Sequence, residues 1–120
     1  MLSIKQQLGH TAEAQACLYL EKQGLMFKTN NFHCTLGEID LIMQDQDCLV
    51  FVEVRFRTQG DFGAGVETIS YRKQRRLIKT ALFYLQQNDL IDKIPCRFDV
   101  LGMNEQENIT WIKDAFQVQY

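Results

Sequence analysis

The chain has 120 residues, the size of one ordinary domain, so we expect a single domain over residues 1–120. Hydrophobic residues make up 46% and charged residues 23%, which is typical of a globular protein and excludes disordered and fibrous classes. The net charge of −2 excludes a partner held by bulk positive charge alone. The longest strictly apolar run, residues 49–52, is far shorter than the roughly 20 residues of a membrane helix, and the N-terminus resembles no signal peptide. We therefore expect a cytoplasmic protein without a membrane partner.

The first half of the chain predicts a helix followed by three strands. Apolar residues from Leu8 to Leu20 recur at three- and four-residue spacing, which predicts a helix from about Lys5 to Gln23, and Gly24 is a natural stop. Three stretches rich in Val, Ile and Phe are separated by polar turns, at 25–28, 38–44 and 48–57. They predict an antiparallel meander.

The second half predicts one more helix and two more strands. Ser70 is a suitable cap for a helix that runs to about Gln87, and strands are expected at 96–103 and 109–113. A strand, a long helix and another strand favour a right-handed crossover, with the fourth strand parallel to the third. The predicted order is α-β-β-β-α-β-β, an α/β fold with a central mixed sheet flanked by helices.

The four cysteines, Cys17, Cys34, Cys48 and Cys96, contain no C-x-x-C pair. Cys17, Cys48 and Cys96 lie inside apolar periodic stretches, so we expect free, buried thiols.

The register of the central hairpin predicts a cluster of charge. If Gln46 and Asp47 form a two-residue loop, the numbers of paired residues sum to 93, and Asp40 lies directly opposite Glu53. Like charges in that position repel, so a positive group is expected between them. A three-residue loop would instead move Asp40 to the other face of the sheet.

Two interpretations of this cluster are open. Arg55 shares a face with Glu53, and Glu38 falls opposite Arg55 in the same register. The functional interpretation is a site for Mg²⁺ or Mn²⁺, because hard divalent cations take carboxylates, water and substrate phosphate as ligands. The structural interpretation is a cross-strand ion ladder between Glu38 and Arg55, with Asp40 solvated.

A local basic zone accompanies this cluster. Seven of the thirteen Lys and Arg residues lie within positions 55–79, opposed only by Asp61 and Glu67. Cations in the first turns of the second helix can bind phosphates, where the helix dipole also favours anions. The alternative is a plain solvated face. Tyr71 and Phe62 flank the zone and are candidates for stacking on unpaired bases, although packing is their commoner role.

Several separate motifs resemble the YraN family of uncharacterised bacterial proteins. They are GEIDLI at 37–42, FVEVRFR at 51–57, RFDV at 97–100 and WIKDAF at 111–116. Gly9, Glu13, the pair Lys73-Gln74 and the loop at 60–63 fit the same family.

The resemblance also implies a fold and a site. The YraN family is similar to archaeal Holliday-junction resolvases of the PD-(D/E)xK nuclease superfamily, which share a restriction-endonuclease-like α-β-β-β-α-β core. By position, Asp40 and Glu53 match the metal-binding acids and Glu13 the first-helix glutamate, all part of the catalytic set. Arg55 completes that set where the superfamily usually has lysine. Arginine cannot act as a neutral base because its pKa exceeds 12, but it can hold a phosphate.

The resemblance implies a Mg²⁺- or Mn²⁺-dependent, structure-selective endonuclease that acts on branched DNA, and it suggests a homodimer. An RNA substrate stays open, because phosphate chemistry does not reveal the sugar. The alternative is a catalytically weak nucleic-acid-binding or partner-docking module on the same fold. The expected nucleic-acid contacts are Arg57, Arg72, Lys73, Gln74, Arg75 and Arg76.

Overall fold

A five-stranded mixed sheet forms the centre of the protein. The computed structural model describes residues 12–57, 69–106 and 108–117. The elements, in chain order, are α1 (Ala12–Lys22), β1 (Met26–Cys34), β2 (Gly37–Asp45), β3 (Cys48–Arg57), α2 (Tyr71–Gln87), β4 (Cys96–Asn104) and β5 (Ile109–Phe116). The predicted order is confirmed. The predicted start of the first helix near Lys5 and the loop at 60–63 lie outside the described residues.

The strands follow one another across the sheet in the order β1-β2-β3-β4-β5. β3 and β4 are parallel, and the other three neighbouring pairs are antiparallel. Helix α2 lies between β3 and β4 in the chain and provides the crossover that a parallel pair requires. The predicted mixed sheet is therefore confirmed, and the arrangement is consistent with a restriction-endonuclease-like core.

The two faces of the sheet carry two separate hydrophobic clusters. Phe51 and Val100 pack in a cluster with Leu77 of α2, whereas Val50 and Val52 pack in a second cluster with α1. Because β3 is central and covered on both faces, nearly every residue from 49 to 53 is apolar and buried, as is usual beside a parallel neighbour. Glu53 is the exception in that run, and its burial needs a polar explanation.

The beginning of α2 is fixed by a side-chain cap. The Ser70 hydroxyl accepts a hydrogen bond from the backbone N–H of Lys73 at 3.1 Å, which satisfies one of the free amides of the first turn. The predicted cap and the predicted end at Gln87 are both confirmed. Lys73 therefore lies in the first turn of the helix, above the sheet.

One buried carboxylate joins β4 to β5. Asp99 is fully buried and accepts hydrogen bonds from Arg97 Nε, from Trp111 Nε1 at 3.0 Å and from the Asp114 backbone N–H at 2.9 Å. Arg97 also pairs with Asp45 at the end of β2, at 3.0 Å. The motifs at 97–100 and 111–116 are thus halves of one polar network.

Two strands extend by several residues beyond their predicted ends, and β2 and β4 differ from the prediction by one residue at one or both ends. β1 continues to Cys34 because polar residues that resemble a turn, among them Asn30 and Asn31, form a half-exposed edge strand with a bulge between Phe27 and Thr29. β5 continues to Phe116 through Asp114, whose φ is 53°. Alternation is weak at irregular edges, so the sequence underestimates their length.

The four cysteines are free, as predicted, but their burial was only partly predicted. Cys17 is buried, Cys34 and Cys48 are half-buried, and Cys96 is exposed. Cys96 is the first residue of β4, and the open end of a strand leaves it accessible. Neither helix in the described part of the chain is long and apolar enough to cross a membrane.

Candidate functional site

The β2–β3 hairpin has the predicted register. Asp45 pairs with Cys48 across a loop of two residues, and the pairing continues to Leu41 opposite Val52. Gln46 in the loop has a φ of 56°, a left-handed conformation typical of such tight hairpin turns. The alternative three-residue loop is excluded, and Asp40 and Glu53 lie close together, as the register predicts.

The Asp40 side chain continues the connection between the strands where the pairing ends. Its Oδ2 accepts a hydrogen bond from the Val54 backbone N–H at 2.8 Å. A carboxylate of β2 thereby satisfies a β3 amide beyond the last paired residues, Leu41 and Val52. This bond fixes the Asp40 carboxylate next to β3.

Glu53 lies close enough to Asp40 to perturb the ionisation of Asp40. Burial and then the negative charge of Glu53 raise the pKa of Asp40 to about 7, and a hydrogen bond with Glu53 acts in the same direction. The Val54 N–H bond opposes this rise, and the charge of Glu13 adds the smallest contribution. Such a pair of carboxylates favours a bound proton or a cation.

Helix α2 supplies a positive group to this pair. Lys73 Nζ forms an ion pair with Glu53 Oε2. Sequence reasoning expected a cation here and named Arg55, and it predicted Lys73 as a nucleic-acid contact in the basic first turns of the helix. The contact joins residues twenty positions apart across the helix–sheet interface, and only the basic character of the first turn of α2 hinted at it.

Arg55 and Glu38 are the two residues of the alternative ion ladder. Arg55 is half-buried on β3. Glu38 is exposed, and its backbone lies opposite His33 in the register of β1 with β2. The residue pairing of β2 with β3 ends before it reaches these two positions, and the cross-strand ion pair between them stays a prediction.

A cleft of about 480 Å³ opens over the two carboxylates. Its charged lining comes from β2, β3 and the first turns of α2, so acids and bases face one another across it. The lining consists of Gly37, Glu38, Asp40, Glu53, Val54, Lys73, Arg76 and Leu77.

A close approach between β2 and α2 sets the width of this cleft. A Cβ atom on Gly37 would lie 2.8 Å from Thr80 Oγ1, which is too near for any real contact. Thr80 is fully buried and donates to the Arg76 carbonyl at 2.8 Å, so it has little freedom to move. Because Gly37 has no side chain, α2 can pack close to β2, over the two carboxylates.

Four of the predicted nucleic-acid residues, all on α2, have two kinds of position. Arg72, Arg75 and Arg76 are exposed on α2, with the Arg75 guanidinium 5.8 Å from the centre of the Tyr71 ring. Gln74 instead donates its side-chain amide to the Ile69 carbonyl at 2.8 Å and braces the segment before the helix. The exposed arginines extend the positive charge outward from the cleft.

Three further expectations concern residues away from the cleft centre. Glu13 lies half-buried in the first turn of α1 and is not part of the cleft lining. Arg57 is the last residue of β3, and its side chain lies outside the described part. Phe62 also lies outside the described residues.

The donor set suits a hard divalent cation that keeps water ligands. Within the described residues, no three His, Cys, Asp or Glu side chains converge in a metal-binding group. Asp40 and Glu53 offer carboxylate oxygens from two adjacent strands, and Mg²⁺ commonly takes one or two carboxylates plus water and phosphate. The pair therefore fits Mg²⁺ or Mn²⁺, with the remaining positions open to water and substrate.

Comparison with known proteins identifies the family. Residues 12–103 match the model of the family described as uncharacterised protein family UPF0102. The chain belongs to this family. A UPF0102 protein of Coxiella burnetii, strain RSA 331 / Henzerling II, is 57% identical over the full length of both chains. A UPF0102 protein of Nitrosococcus oceani is 48% identical over 92% of each chain, and one of Legionella pneumophila, strain Philadelphia 1, is 46% identical over 92% of this chain and 95% of its own.

The family assignment predicted from the motifs is thereby confirmed. The UPF0102 match spans the hairpin with Asp40 and Glu53 and the helix with Lys73. The more distant likeness to Holliday-junction resolvases stays a prediction.

Proposed function

We propose that this UPF0102 protein is a metal-dependent, structure-selective endonuclease that hydrolyses phosphodiester bonds in branched DNA. The observation that carries the proposal is the meeting of the Asp40 and Glu53 carboxylates in a cleft that is also lined by Lys73 and Arg76. Paired acids beside cations can hold both a metal ion and the phosphate on which it acts.

Asp40 and Glu53 are the residues that would hold Mg²⁺ or Mn²⁺. When bound, the metal ion would lower the pKa of a water molecule and stabilise negative charge on phosphoryl oxygens. The chain's own contribution is to orient these ligands. The Val54 N–H fixes Asp40, and burial on β3 fixes Glu53.

The exposed arginines of α2 support a nucleic acid as the substrate. Arg72, Arg75 and Arg76 lie in the first two turns, where the helix dipole adds to their positive charge. Contacts of this type neutralise backbone phosphates without reading sequence. The preference for branched DNA comes from the resolvase likeness, as does the proposed homodimer. A cytoplasmic location is part of the same proposal.

A cleavage panel tests the proposed activity. Branched, single-stranded and duplex DNA, and the matching RNAs, are incubated with the protein in Mg²⁺, in Mn²⁺ and in EDTA. We expect metal-dependent cleavage of branched DNA, and we expect Asp40→Asn and Glu53→Gln to lose at least about a hundredfold in rate while keeping the wild-type circular dichroism spectrum. An absence of cleavage on every substrate would contradict the proposal.

The second candidate is a nucleic-acid-binding or partner-docking module that cuts poorly. The ion pair between Lys73 and Glu53 favours it, because a carboxylate that is already paired is a weaker metal ligand. Arg55 in place of lysine favours it as well. Titration calorimetry separates the candidates: Mg²⁺ or Mn²⁺ binding that disappears in Asp40→Asn supports the nuclease, and DNA binding without metal binding supports the module.

A further inference from the structure

We propose that Lys73, on helix α2, is the catalytic cation of the Asp40–Glu53 site and carries the charge that the resemblance expects from β3 at position 55. This inference rests on the proposed nuclease function. It moves Lys73 from the outer phosphate-binding face into the reaction centre, and it leaves Arg55 an accessory role.

The position of the Lys73 ammonium is the first argument. It pairs with Glu53, whose side chain is only 9% exposed, while the Lys73 side chain remains 43% exposed and lines the cleft. The ammonium therefore lies between a buried carboxylate and open space that a substrate can enter.

The backbone around Lys73 is held in place. Its own N–H donates to the Ser70 hydroxyl, and the neighbouring Gln74 amide donates to the Ile69 carbonyl. The close approach of Gly37 to Thr80 holds the same helix against β2. A side chain on such a well-held turn has to reorganise less when substrate binds.

An ammonium group suits both neighbours at once. Lysine carries three N–H donors on a compact positive charge, so one donor can remain on Glu53 while others reach a non-bridging phosphate oxygen. In the hydrolysis, a water oxygen bonds to phosphorus, the bond from phosphorus to the leaving sugar oxygen breaks, and a proton from water ends on that oxygen. Lys73 stabilises the negative charge that develops on the phosphoryl oxygens.

The main test separates rate from binding. Single-turnover cleavage at saturating branched DNA in Mg²⁺ is measured for wild type, Lys73→Met, Lys73→Arg and Arg55→Met. Lys93→Met is the matched control, because Lys93 is also an exposed lysine paired with a carboxylate, Asp89 at 3.0 Å, but lies outside the cleft lining. We expect Lys73→Met to slow cleavage by about a hundredfold or more, the usual scale for removing one electrostatic donor.

The other variants define the pattern that supports the proposal. Lys73→Arg should retain part of the rate, Arg55→Met should lose less than Lys73→Met, and Lys93→Met should match wild type. The DNA affinity of Lys73→Met should fall only by the amount that one lost phosphate contact explains. Lys73→Met with the wild-type rate overturns the proposal, as does a loss confined to DNA affinity. A wild type that cuts nothing overturns the proposed function itself.

Metal binding without DNA gives a second readout. Mn²⁺ titration by calorimetry should show tighter binding in Lys73→Met than in wild type, because the ammonium no longer competes with the metal ion for Glu53. Lys93→Met should leave Mn²⁺ affinity unchanged. Weaker Mn²⁺ binding in Lys73→Met, together with a large fall in melting temperature, would show that Lys73 is only a structural support and would overturn the proposal.

Discussion

Opposing influences set the pKa of the Asp40 carboxyl group. The Val54 N–H bond favours its carboxylate form, whereas burial and the charge of Glu53 favour its protonated form, and the balance raises its pKa to about 7. At neutral pH without metal, this acid is partly protonated. A divalent cation and a proton therefore compete for the same pair of oxygens.

The raised pKa predicts how Asp40 affects stability with pH. Between about 3.9, the pKa of an unfolded aspartate, and about 7, the native protein binds more protons at Asp40 than the unfolded chain does. The stability that this proton provides is fully present below the unfolded pKa and is lost as pH rises through the folded pKa. In EDTA, we therefore expect Asp40→Asn to gain stability relative to wild type as pH rises from about 4 to about 7, and the gain should level off above pH 7.

Urea unfolding at several pH values checks this prediction. Asp47→Asn is the control, because Asp47 is exposed in the β2–β3 loop and lies outside the cleft lining. If the difference between Asp40→Asn and wild type does not change with pH, the proposed balance at Asp40 is wrong.

Asp99 has a structural role that its motif did not reveal. Its carboxylate is fully buried and receives donors from Arg97, Trp111 and the Asp114 backbone. Asp99→Asn removes the charge that compensates the largely buried Arg97, so we expect a loss of about 3–5 kcal/mol in the free energy of unfolding. Asp92→Asn, an exposed position, should stay within about 0.5 kcal/mol of wild type. Equal unfolding midpoints for the two variants would contradict this role.

At the scale of elements, the contact of β2 with α2 decides whether the site assembles. Gly37→Ala would place a Cβ 2.8 Å from Thr80 Oγ1. Helix α2 must then move away from the sheet, and we expect a loss of about 1–3 kcal/mol in stability. The same movement should separate Lys73 from Glu53 and slow any cleavage.

A double variant tests the cause of that destabilisation. Thr80→Ala removes the hydroxyl that a Cβ on Gly37 would meet, so Gly37→Ala/Thr80→Ala should recover part of the stability that Gly37→Ala removes. Chemical unfolding of the two single variants and the double variant completes the cycle. Strictly additive losses would show that crowding against Thr80 is not the reason for glycine at this position.

At the scale of the whole molecule, the distribution of charge matters more than its sum. The net charge is −2, yet exposed arginines gather at the start of α2. Phosphate binding there releases counterions and weakens with salt. Arg72→Ala/Arg75→Ala/Arg76→Ala should reduce the slope of log affinity against log salt by about 0.9 for each duplex phosphate that is no longer neutralised.

Fluorescence anisotropy with labelled DNA at several salt concentrations measures that slope. The control triple variant is Lys22→Ala/Lys28→Ala/Lys93→Ala, which removes the same charge from exposed positions outside the cleft lining. If both triple variants change the slope equally, the effect is one of overall charge and α2 is a plain solvated face.

The sequence by itself determined the elements, their order and the placement of the acidic pair. Helical spacing, the Ser70 cap and the two-residue loop are local signals, because each depends on residues a few positions apart. The register of one hairpin was therefore enough to predict that Asp40 and Glu53 lie close together. Irregular edges such as β1 were the exception, since bulges break the alternation on which the prediction depends.

Only the tertiary structure decided which cation joins that pair and what holds the site together. The contact of Lys73 with Glu53 and the network around Asp99 both link residues on different elements. The angle and distance at which a helix packs on a sheet depend on side-chain volume, as at Gly37, and no local pattern encodes them. The sequence could thus predict that a positive charge was needed beside Glu53, but only packing chose α2 to supply it.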